Sequence, residues 1–470
     1  MYQTDTIAAI ATGMTDSGIG IIRISGENAV LTGSRLFRTP SGKDILENVD
    51  SHTFYYGYIV DNVQDRSDDW KDLIIDEVMI VVMKAPRSYT GEDTVEIQCH
   101  GGVLVMQKIL SAVIDAGARL AEPGEFSKRA FLNGKMDLSR AEAVMDVIHS
   151  QNEYALRSSV NQLKGGLSEK VKALRDQIIY EIAFIESALD DPEHISLEGY
   201  SDTLSEKLRD ISVTLEKMIA SSENGKLIRE GINTVIVGKP NAGKSSLLNV
   251  LVGEERAIVT DIAGTTRDIL QETVRFHGIS LNITDTAGIR NTEDTVEKIG
   301  VERALQYVEN SDLILYVVDI SVELDENDRK IISVLNNKKV IVLLNKSDLS
   351  MVADEDHLKD ILPDGAEVIR TSTMDNRGMD ELEETVKDMF FSGQLKSNNE
   401  VVITNVRHKE ALREALQSLR LVEKSIEDGM PEDFYSIDLM SAYASLGKII
   451  GEEVDDDLVE EIFSKFCMGK

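Results

Sequence analysis

The passage from Thr234 to Ser245 constrains this chain more tightly than any other. A run of strand character, Thr234-Val235-Ile236-Val237, leads directly into Gly238-Lys239-Pro240-Asn241-Ala242-Gly243-Lys244-Ser245, and an apolar helical pattern (Leu247, Leu248, Leu251) follows. Glycines in such a strand–loop–helix let backbone N–H groups curl around phosphate oxygens, and the N-terminus of the following helix adds positive potential. The pattern is a complete P-loop, so a parallel α/β sheet is expected around it, and from about residue 232 onward strands and helices do alternate. Lys244 is expected to reach the β- and γ-phosphates and the Ser245 hydroxyl to ligate Mg²⁺. Asn241, Ala242, Gly243 and Ser246 complete the expected cradle.

Three further motifs follow in order. Gly264-Thr265-Thr266-Arg267-Asp268 offers Thr266 as a second Mg²⁺ ligand on a loop that can order around a γ-phosphate, with Thr260, Asp261, Ile262 and Ala263 just before it as further nucleotide contacts. Asp285-Thr286-Ala287-Gly288 ends the strand 279–284, which puts Asp285 near the metal and the Gly288 amide near the γ-phosphate. Asn345-Lys346-Ser347-Asp348 ends the strand 340–344. A carboxylate at Asp348 can accept from both N1–H and the exocyclic amine of guanine; adenine has no such donor pair, so the expected nucleotide is GTP. Ser372 and Thr373 stand where a last loop supports the base, with Thr373 and Met374 replacing the usual small residue and cation.

Two departures bear on hydrolysis. The residue after Gly288 is Ile289, where many small GTPases carry the glutamine that orients the attacking water. Ile289 can neither donate nor accept a hydrogen bond. Glu297, twelve residues after Asp285, is a candidate replacement; by spacing alone it reads first as a solvated glutamate among Glu293, Asp294 and Lys298. Asn241, with Thr260, Ile262 and Thr265, can also place oxygens around a monovalent cation. K⁺ there would neutralise charge developing in phosphoryl transfer, as an arginine finger does. Taken alone, Asn241 reads as a loop-stabilising residue.

The chain divides by pattern. Residues 1–118 hold short β-rich runs such as Gly20–Ile24 and Glu77–Val82, residues 119–225 are helical, 226–385 form the α/β segment, and helical periodicity returns over 386–470, ending in the acidic run Glu452–Asp457. Leu156, Val160, Leu163 and Leu167, then Ala173, Ile178, Ile182 and Ile185, carry the helical signal. About 85 C-terminal residues make a poor core alone, so the expected architecture is multidomain α/β plus α: a P-loop domain inserted into one discontinuous helical domain, preceded by an α+β N-terminal domain. The 83 acidic against 50 basic residues give a formal net charge of −33, which repels phosphate backbones. A polynucleotide substrate then requires a local basic patch or a partner that supplies one. Two cysteines, Cys99 and Cys467, no apolar run of about 20 residues and no basic leader point to a soluble cytoplasmic protein.

With these residues in place the whole chain resembles tRNA-modification GTPases of the MnmE (TrmE) family. The resemblance rests on Gly20-Ile21-Ile22-Arg23-Ile24-Ser25-Gly26, Ser88–Asp93, Pro123-Gly124-Glu125-Phe126-Ser127, Ala130–Lys135, the GTPase motifs and the terminal Cys467-Met468-Gly469-Lys470. Position 468 is often isoleucine or leucine in that family. The resemblance implies an N-terminal folate-binding domain that forms a homodimer and a flavin- and NADH-dependent partner, MnmG, in a heterotetramer. It also implies addition of a carboxymethylaminomethyl or aminomethyl group at C5 of the wobble uridine of certain tRNAs, with K⁺-stimulated GTP hydrolysis. The implied one-carbon donor is 5-formyl- or 5,10-methylene-tetrahydrofolate, with contacts mapping onto Arg23, Glu96, Lys135 and Lys470. K⁺ ligands map onto Asn241, Thr260, Ile262 and Thr265, and the catalytic glutamate onto Glu297; Cys467 is implied near the one-carbon unit as nucleophile or proton carrier. The competing readings are a regulatory GTPase of ribosome assembly, which normally brings a basic RNA-binding module absent from this acidic chain, and a nucleotide-dependent scaffold.

Overall fold

The computed structural model describes residues 5–61, 70–254, 271–276, 278–284, 308–336, 338–353, 358, 360–391 and 402–469. The chain forms two compact units, one of Met1–Met145, Leu167–Arg175 and Ala444–Lys470, the other of Asp146–Gly166 and Asp176–Tyr443.

In the first unit β1 (Ile7–Ile10), β2 (Ser17–Ser25), α1 (Ala29–Leu36), β3 (Phe37–Arg38), β4 (Thr53–Val60), β5 (Ile74–Met83), β6 (Thr94–Gly101), α2 (Val103–Asp115) and β7 (Arg119–Leu120) follow in order. They build a seven-stranded sheet, β3-β4-β5-β6-β2-β1-β7. Neighbouring strands are antiparallel except for β1 and β7. Alternation along the strands puts Ile22, Ile24, Ile80, Val82, Val95 and Ile97 into one core with Leu36 of α1 and Met106, Ile109 and Val113 of α2. Residues of the other parity, Arg23 on β2 and Glu96 on β6, stand opposite one another in register on the face without α1 and α2. α3 (Glu125–Leu132) and α4 (Leu138–His149) follow, and Leu138, Ala141 and Met145 bury against Val459, Phe463 and Phe466 from the C-terminal end of the chain.

The second unit holds α5 (Glu153–Leu163), most of α6 (Gly166–Asp190), α7 (Tyr200–Glu230), β8 (Ile232–Val237), α8 (Lys244–Glu254), β9 (Gln271–Phe276), β10 (Ile279–Thr284), β11 (Leu313–Asp319), α9 (Glu326–Ser333), β12 (Lys339–Asn345), β13 (Glu367–Arg370), α10 (Met379–Phe391) and α11 (Val406–Glu427). Its six-stranded sheet has the order β13-β12-β11-β8-β10-β9, parallel throughout except at β9. All seven residues of β11 are buried, as a strand covered on both faces requires. One face carries Ile236, Leu315, Val317, Ile341 and Leu343, the other Val235, Val237, Tyr316, Val342 and Leu344. The multidomain α/β-plus-α class expected from the sequence is the one observed.

Three readings of periodicity need correction. In α5 the buried face is Ala155, Ser159 and Gln162, with Leu156 exposed. The helix also stops at Leu163 and restarts after Gly165, whose φ of +101° suits glycine. The run Leu156–Leu167 therefore joins two helices, and a face of Ala155, Ser159 and Gln162 packs where leucines were expected. In α6, Ile178, Ile182 and Ile185 are buried as expected, but Leu174 takes the place assigned to Ala173, which is exposed. The chain also does not end its helical pattern at Glu452–Asp457: Asp455 is the N-cap position of a further helix, Asp456–Ser464, whose first turn carries Asp456 and Asp457. Carboxylates there face the positive end of the helix dipole. Among the described residues no helix is long and apolar enough to cross a membrane.

α11 packs along α7 after the chain returns from the α/β sheet. The segment entering α11 crosses α7 at Gly225: the Ser221 hydroxyl accepts from the Ile403 N–H at 3.2 Å, and a Cβ on Gly225 would lie 2.0 Å from the Ile403 carbonyl oxygen. The obstacle is main chain and cannot rotate away. Gly225→Ala is expected to lower stability by about 1–3 kcal/mol despite alanine's better helix propensity. The check is the urea midpoint of the helical circular-dichroism signal; an unchanged midpoint would show that the crossing is not tight.

Candidate functional site

The P-loop leaves the C-terminal end of β8, the motif Asn345–Asp348 leaves β12, and Ser372 follows β13, so all three gather at the same edge of one parallel sheet. That edge is where open α/β sheets bind ligands. The close approach of these loops is made by glycine. Gly238 has φ +153°, and a Cβ there would lie 2.4 Å from the Val317 carbonyl oxygen; Gly243 has φ +102°, and its Cβ would lie 2.1 Å from Asn345 Nδ2. Asn241 (φ +63°) and Lys346 (φ +65°) hold left-handed backbone without being glycine. Residues accept that strain where surrounding contacts enforce it, often at binding sites.

Asn345 joins the two sides. It is 1% exposed, its Nδ2 donates to the Ala242 carbonyl at 2.9 Å, and its Oδ1 accepts from the Thr373 N–H at 3.3 Å. Lys346 pairs with Asp319 at the end of β11. Burial alone pushes the Asp319 carboxyl up, but the bonds from Lys346 and from the Ser321 hydroxyl and N–H outweigh it and hold the group below its usual range. Asp348 accepts from the Ser372 hydroxyl at 2.9 Å. Between the loops lies an open cavity of about 630 Å³, walled by Asn241, Gly243, Lys244, Ser245 and Ser246 on one side and by Asn345, Lys346, Asp348 and Thr373 on the other. Met374 also lines it and is 86% exposed.

Lys244 is turned back onto its own loop. Its Nζ donates to the carbonyls of Gly238 at 2.8 Å and Lys239 at 2.7 Å. Ser245 and Ser246 lie in the first turn of α8. The structure thus brings Asn241, Ala242, Gly243, Lys244, Ser245, Ser246, Asn345, Lys346, Asp348, Ser372 and Thr373 together. Thr260, Asp261, Ile262, Ala263, Gly264, Thr265, Thr266, Asp285, Thr286, Ala287, Gly288, Ile289 and Glu297 lie outside the described residues. Asp319 was missed in the sequence, although its place at the end of an apolar strand, in register with Asn345, is a readable signal.

A second cluster forms in the first unit. Arg23 Nε donates to Glu96 at 2.8 Å, its Nη1 donates to the Gly469 carbonyl at 3.2 Å, and its guanidinium lies over the rings of Tyr89 and Phe126 at 5.3 and 5.7 Å. Three of the sequence motifs therefore converge on Arg23. Tyr89 belongs to Ser88–Asp93, Phe126 to Pro123–Ser127 and Gly469 to the tail, and the Tyr89 and Ser127 hydroxyls are 2.7 Å apart. The Ser88–Asp93 loop is fastened from below, where Ser25 donates to Glu92 at 2.8 Å and Arg129 bonds Glu92, Glu125 and Asp5. Lys135 donates to the Pro86 carbonyl at 2.9 Å. Cys467 is an exposed free thiol, and Lys470 lies outside the described residues.

A family model for the MnmE helical domain matches residues 138–467, and one for the N-terminus of the GTP-binding protein TrmE matches residues 6–135. The chain belongs to the MnmE family of tRNA modification GTPases. A tRNA modification GTPase MnmE of Lachnoclostridium phytofermentans is 56% identical over 468 residues, with 100% of both chains covered. The proteins of that name from Clostridioides difficile and Bacillus subtilis are 46% and 44% identical over 470 and 467 residues, covering 100% and 99% of this chain and 100% of each relative. Membership of the MnmE family makes the chain a GTP hydrolase and accounts for motifs outside the P-loop domain that an isolated GTPase has no use for.

The tail docks by close backbone contact. Gly124 (φ +70°) donates its N–H to the Cys467 carbonyl at 3.4 Å, and a Cβ there would lie 2.4 Å from the Phe463 carbonyl oxygen. Gly469 (φ +85°) rests against the Ile10 carbonyl, 2.4 Å from where its Cβ would be. Gly124→Ala is expected to release residues 463–469. Their amide exchange should accelerate by about tenfold or more while amides of β2 and β6 keep their protection, and unchanged exchange in the tail would refute the docking role.

Proposed function

We propose that this GTPase acts on tRNA. It uses GTP hydrolysis to drive addition of a carboxymethylaminomethyl or aminomethyl group at C5 of the wobble uridine, together with a flavin- and NADH-dependent partner of the MnmG type. The observation that carries the nucleotide half of this reading is the cavity between the P-loop and the Asn345–Asp348 loop, tied across by Asn345. The tRNA half is supported by full-length relatives named tRNA modification GTPases. With a net charge of −33 the chain itself is a poor polyanion sink, so tRNA is bound mainly through the partner.

In this reading the Lys244 ammonium exchanges the Gly238 and Lys239 carbonyls for the β- and γ-phosphates, and Asp348 accepts from guanine while Ser372 steadies it. Ser245 and Thr266 would hold Mg²⁺, and Asn241, Thr260, Ile262 and Thr265 would hold K⁺. The donor chemistry of the described members fits: a hydroxyl in the first turn of α8 and an amide in left-handed backbone both line the cavity. These cations supply positive charge where negative charge develops on the phosphates. Asp261, Ala263, Gly264, Asp285, Thr286, Ala287 and Gly288 complete the nucleotide contacts, and Glu297 orients the attacking water in place of the glutamine that Ile289 replaces.

The Arg23 cluster fits a folate in its donor set: Arg23, Lys135 and Lys470 suit an anionic glutamyl tail, and Glu96 suits a pterin N–H. A bound tetrahydrofolate derivative would supply the one-carbon unit. Arg23 also holds the Gly469 carbonyl, and in this reading Cys467, two residues earlier, would sit beside the ligand. The homodimer and a cytoplasmic setting belong to the same reading.

Asp348→Asn is expected to weaken GTP binding by about tenfold or more, the loss of one charge-assisted contact, and to improve xanthosine triphosphate, whose 2-oxo group replaces the amine. Wild-type GTP affinity in the variant would overturn the base assignment.

The function itself is tested by a paired measurement on one preparation with the partner present: GTP turnover in K⁺ and in Na⁺, and mass spectrometry of wobble nucleosides. Turnover should fall sharply in Na⁺. Cys467→Ser should keep turnover near wild type while losing most modified nucleoside. Equal turnover in the two salts removes the K⁺ site, normal modification by Cys467→Ser leaves the tail a binding role only, and intact wobble nucleosides in cells lacking the protein would favour a ribosome-assembly role.

A further inference from the structure

α9 begins with a capping box: the Asp325 side chain accepts from the N–H groups of Asn327 and Asp328, and the Asp328 carboxylate accepts from the Asp325 N–H at 2.9 Å. An acidic residue at the third helical position normally does this from the surface. Asp328 is 1% exposed. Burying a carboxylate is costly unless several donors meet it, and two more do. The Tyr316 hydroxyl from β11 donates to it at 2.9 Å, and Lys239 Nζ lies 2.6 Å away. Lys239 also reaches Asp325 at 3.2 Å, but that carboxylate is half exposed. Neither Tyr316 nor Lys239 is needed to cap a helix.

Lys239 is the second residue of the P-loop. Its carbonyl, with that of Gly238, is where Lys244 rests, and it also accepts from the Ala242 N–H at 3.3 Å. Among the described residues the loop thus has two side-chain anchors outside itself. Asn345 grips its second half at Ala242, and Asp328 grips its first half through Lys239. We infer that Asp328 is a positioning residue of the nucleotide site, acting through the Lys239 ammonium to hold the first half of the P-loop in its phosphate-binding course. The inference rests on the reading of the P-loop as the GTP site. Since the tether lies behind the loop and touches no reacting atom, it serves bound GTP, GDP and the transition state alike. Its loss therefore raises KM and leaves kcat.

The test uses the full-length chain with Mg²⁺ and K⁺, measuring GTP and GDP affinity by calorimetry and steady-state turnover in parallel. Asp328→Asn and Lys239→Met are each expected to weaken both nucleotides by about tenfold, the loss of one charged hydrogen bond, with kcat within about twofold. Lys239→Arg, which preserves the charge and can reach the same carboxylate, should restore affinity. Tyr316→Phe removes the other buried donor to Asp328 but leaves the tether, so it should lower the unfolding midpoint while keeping affinity near wild type. Unchanged affinity in Asp328→Asn and Lys239→Met overturns the inference. An affinity loss in Tyr316→Phe equal to theirs also overturns it, because general loosening would then suffice, and so does a fall in kcat at constant affinity. Failure of the wild-type chain to bind GTP would instead remove the underlying site.

Discussion

A loop that wraps an anion with its own N–H groups leaves no room for side chains at the points where it passes neighbouring backbone. In this protein those points are Gly238 against Val317 and Gly243 against Asn345. Both neighbours belong to strands of the same parallel sheet, buried on two faces by alternating apolar residues. The sheet therefore does more than carry the loop. The ends of β11 and β12 form the surface the P-loop is pressed against, and they supply Asp319 and Asn345, which fix the base-side loop. A hydrogen bond from a 1% exposed side chain such as Asn345 is not exchanged with water at low cost. The P-loop side and the Thr373 side of the cavity are coupled through it.

Polar groups around the cavity hold one another in readiness. Lys244 spends its donors on two loop carbonyls, Lys346 on Asp319, and Ser372 on Asp348. Each contact gives a charged group a hydrogen-bonding partner. In the proposed reading a nucleotide replaces the Lys244 contacts, and phosphate oxygens compensate for that exchange because they carry full charge where the carbonyls carry only a dipole. The Lys346–Asp319 pair lies outside the exchange and can persist through it.

The first unit uses the same device for a different purpose. Glycines at 124 and 469 let residues 463–469 lie against a helix start and the end of β1, and an arginine fixes the tail by a main-chain carbonyl. Arg23 is held by a carboxylate, two aromatic faces and that carbonyl. This gives residues 467–469 a defined place that such a tail seldom has without a partner.

Much of this was legible in the sequence. The P-loop, its flanking strand and helix and the Asn345–Asp348 motif are local patterns whose chemistry follows from residue type and spacing, and the motifs shared with the MnmE family are contiguous runs. What the sequence could not carry was long-range. Arg23, Glu96, Tyr89, Phe126 and Gly469 meet through strand register and the path of a tail 446 residues from Arg23, and no periodicity encodes such a meeting. The phase of α5 was misread because Ala155, Ser159 and Gln162 are buried by what they pack against, while hydropathy favours Leu156. Asp328 looks like a surface cap by position and is buried only because β11 and the P-loop lie over it. Local sequence determined which groups can bind phosphate and guanine; tertiary structure decided which charges are buried together, since burial belongs to the neighbours a residue acquires on folding.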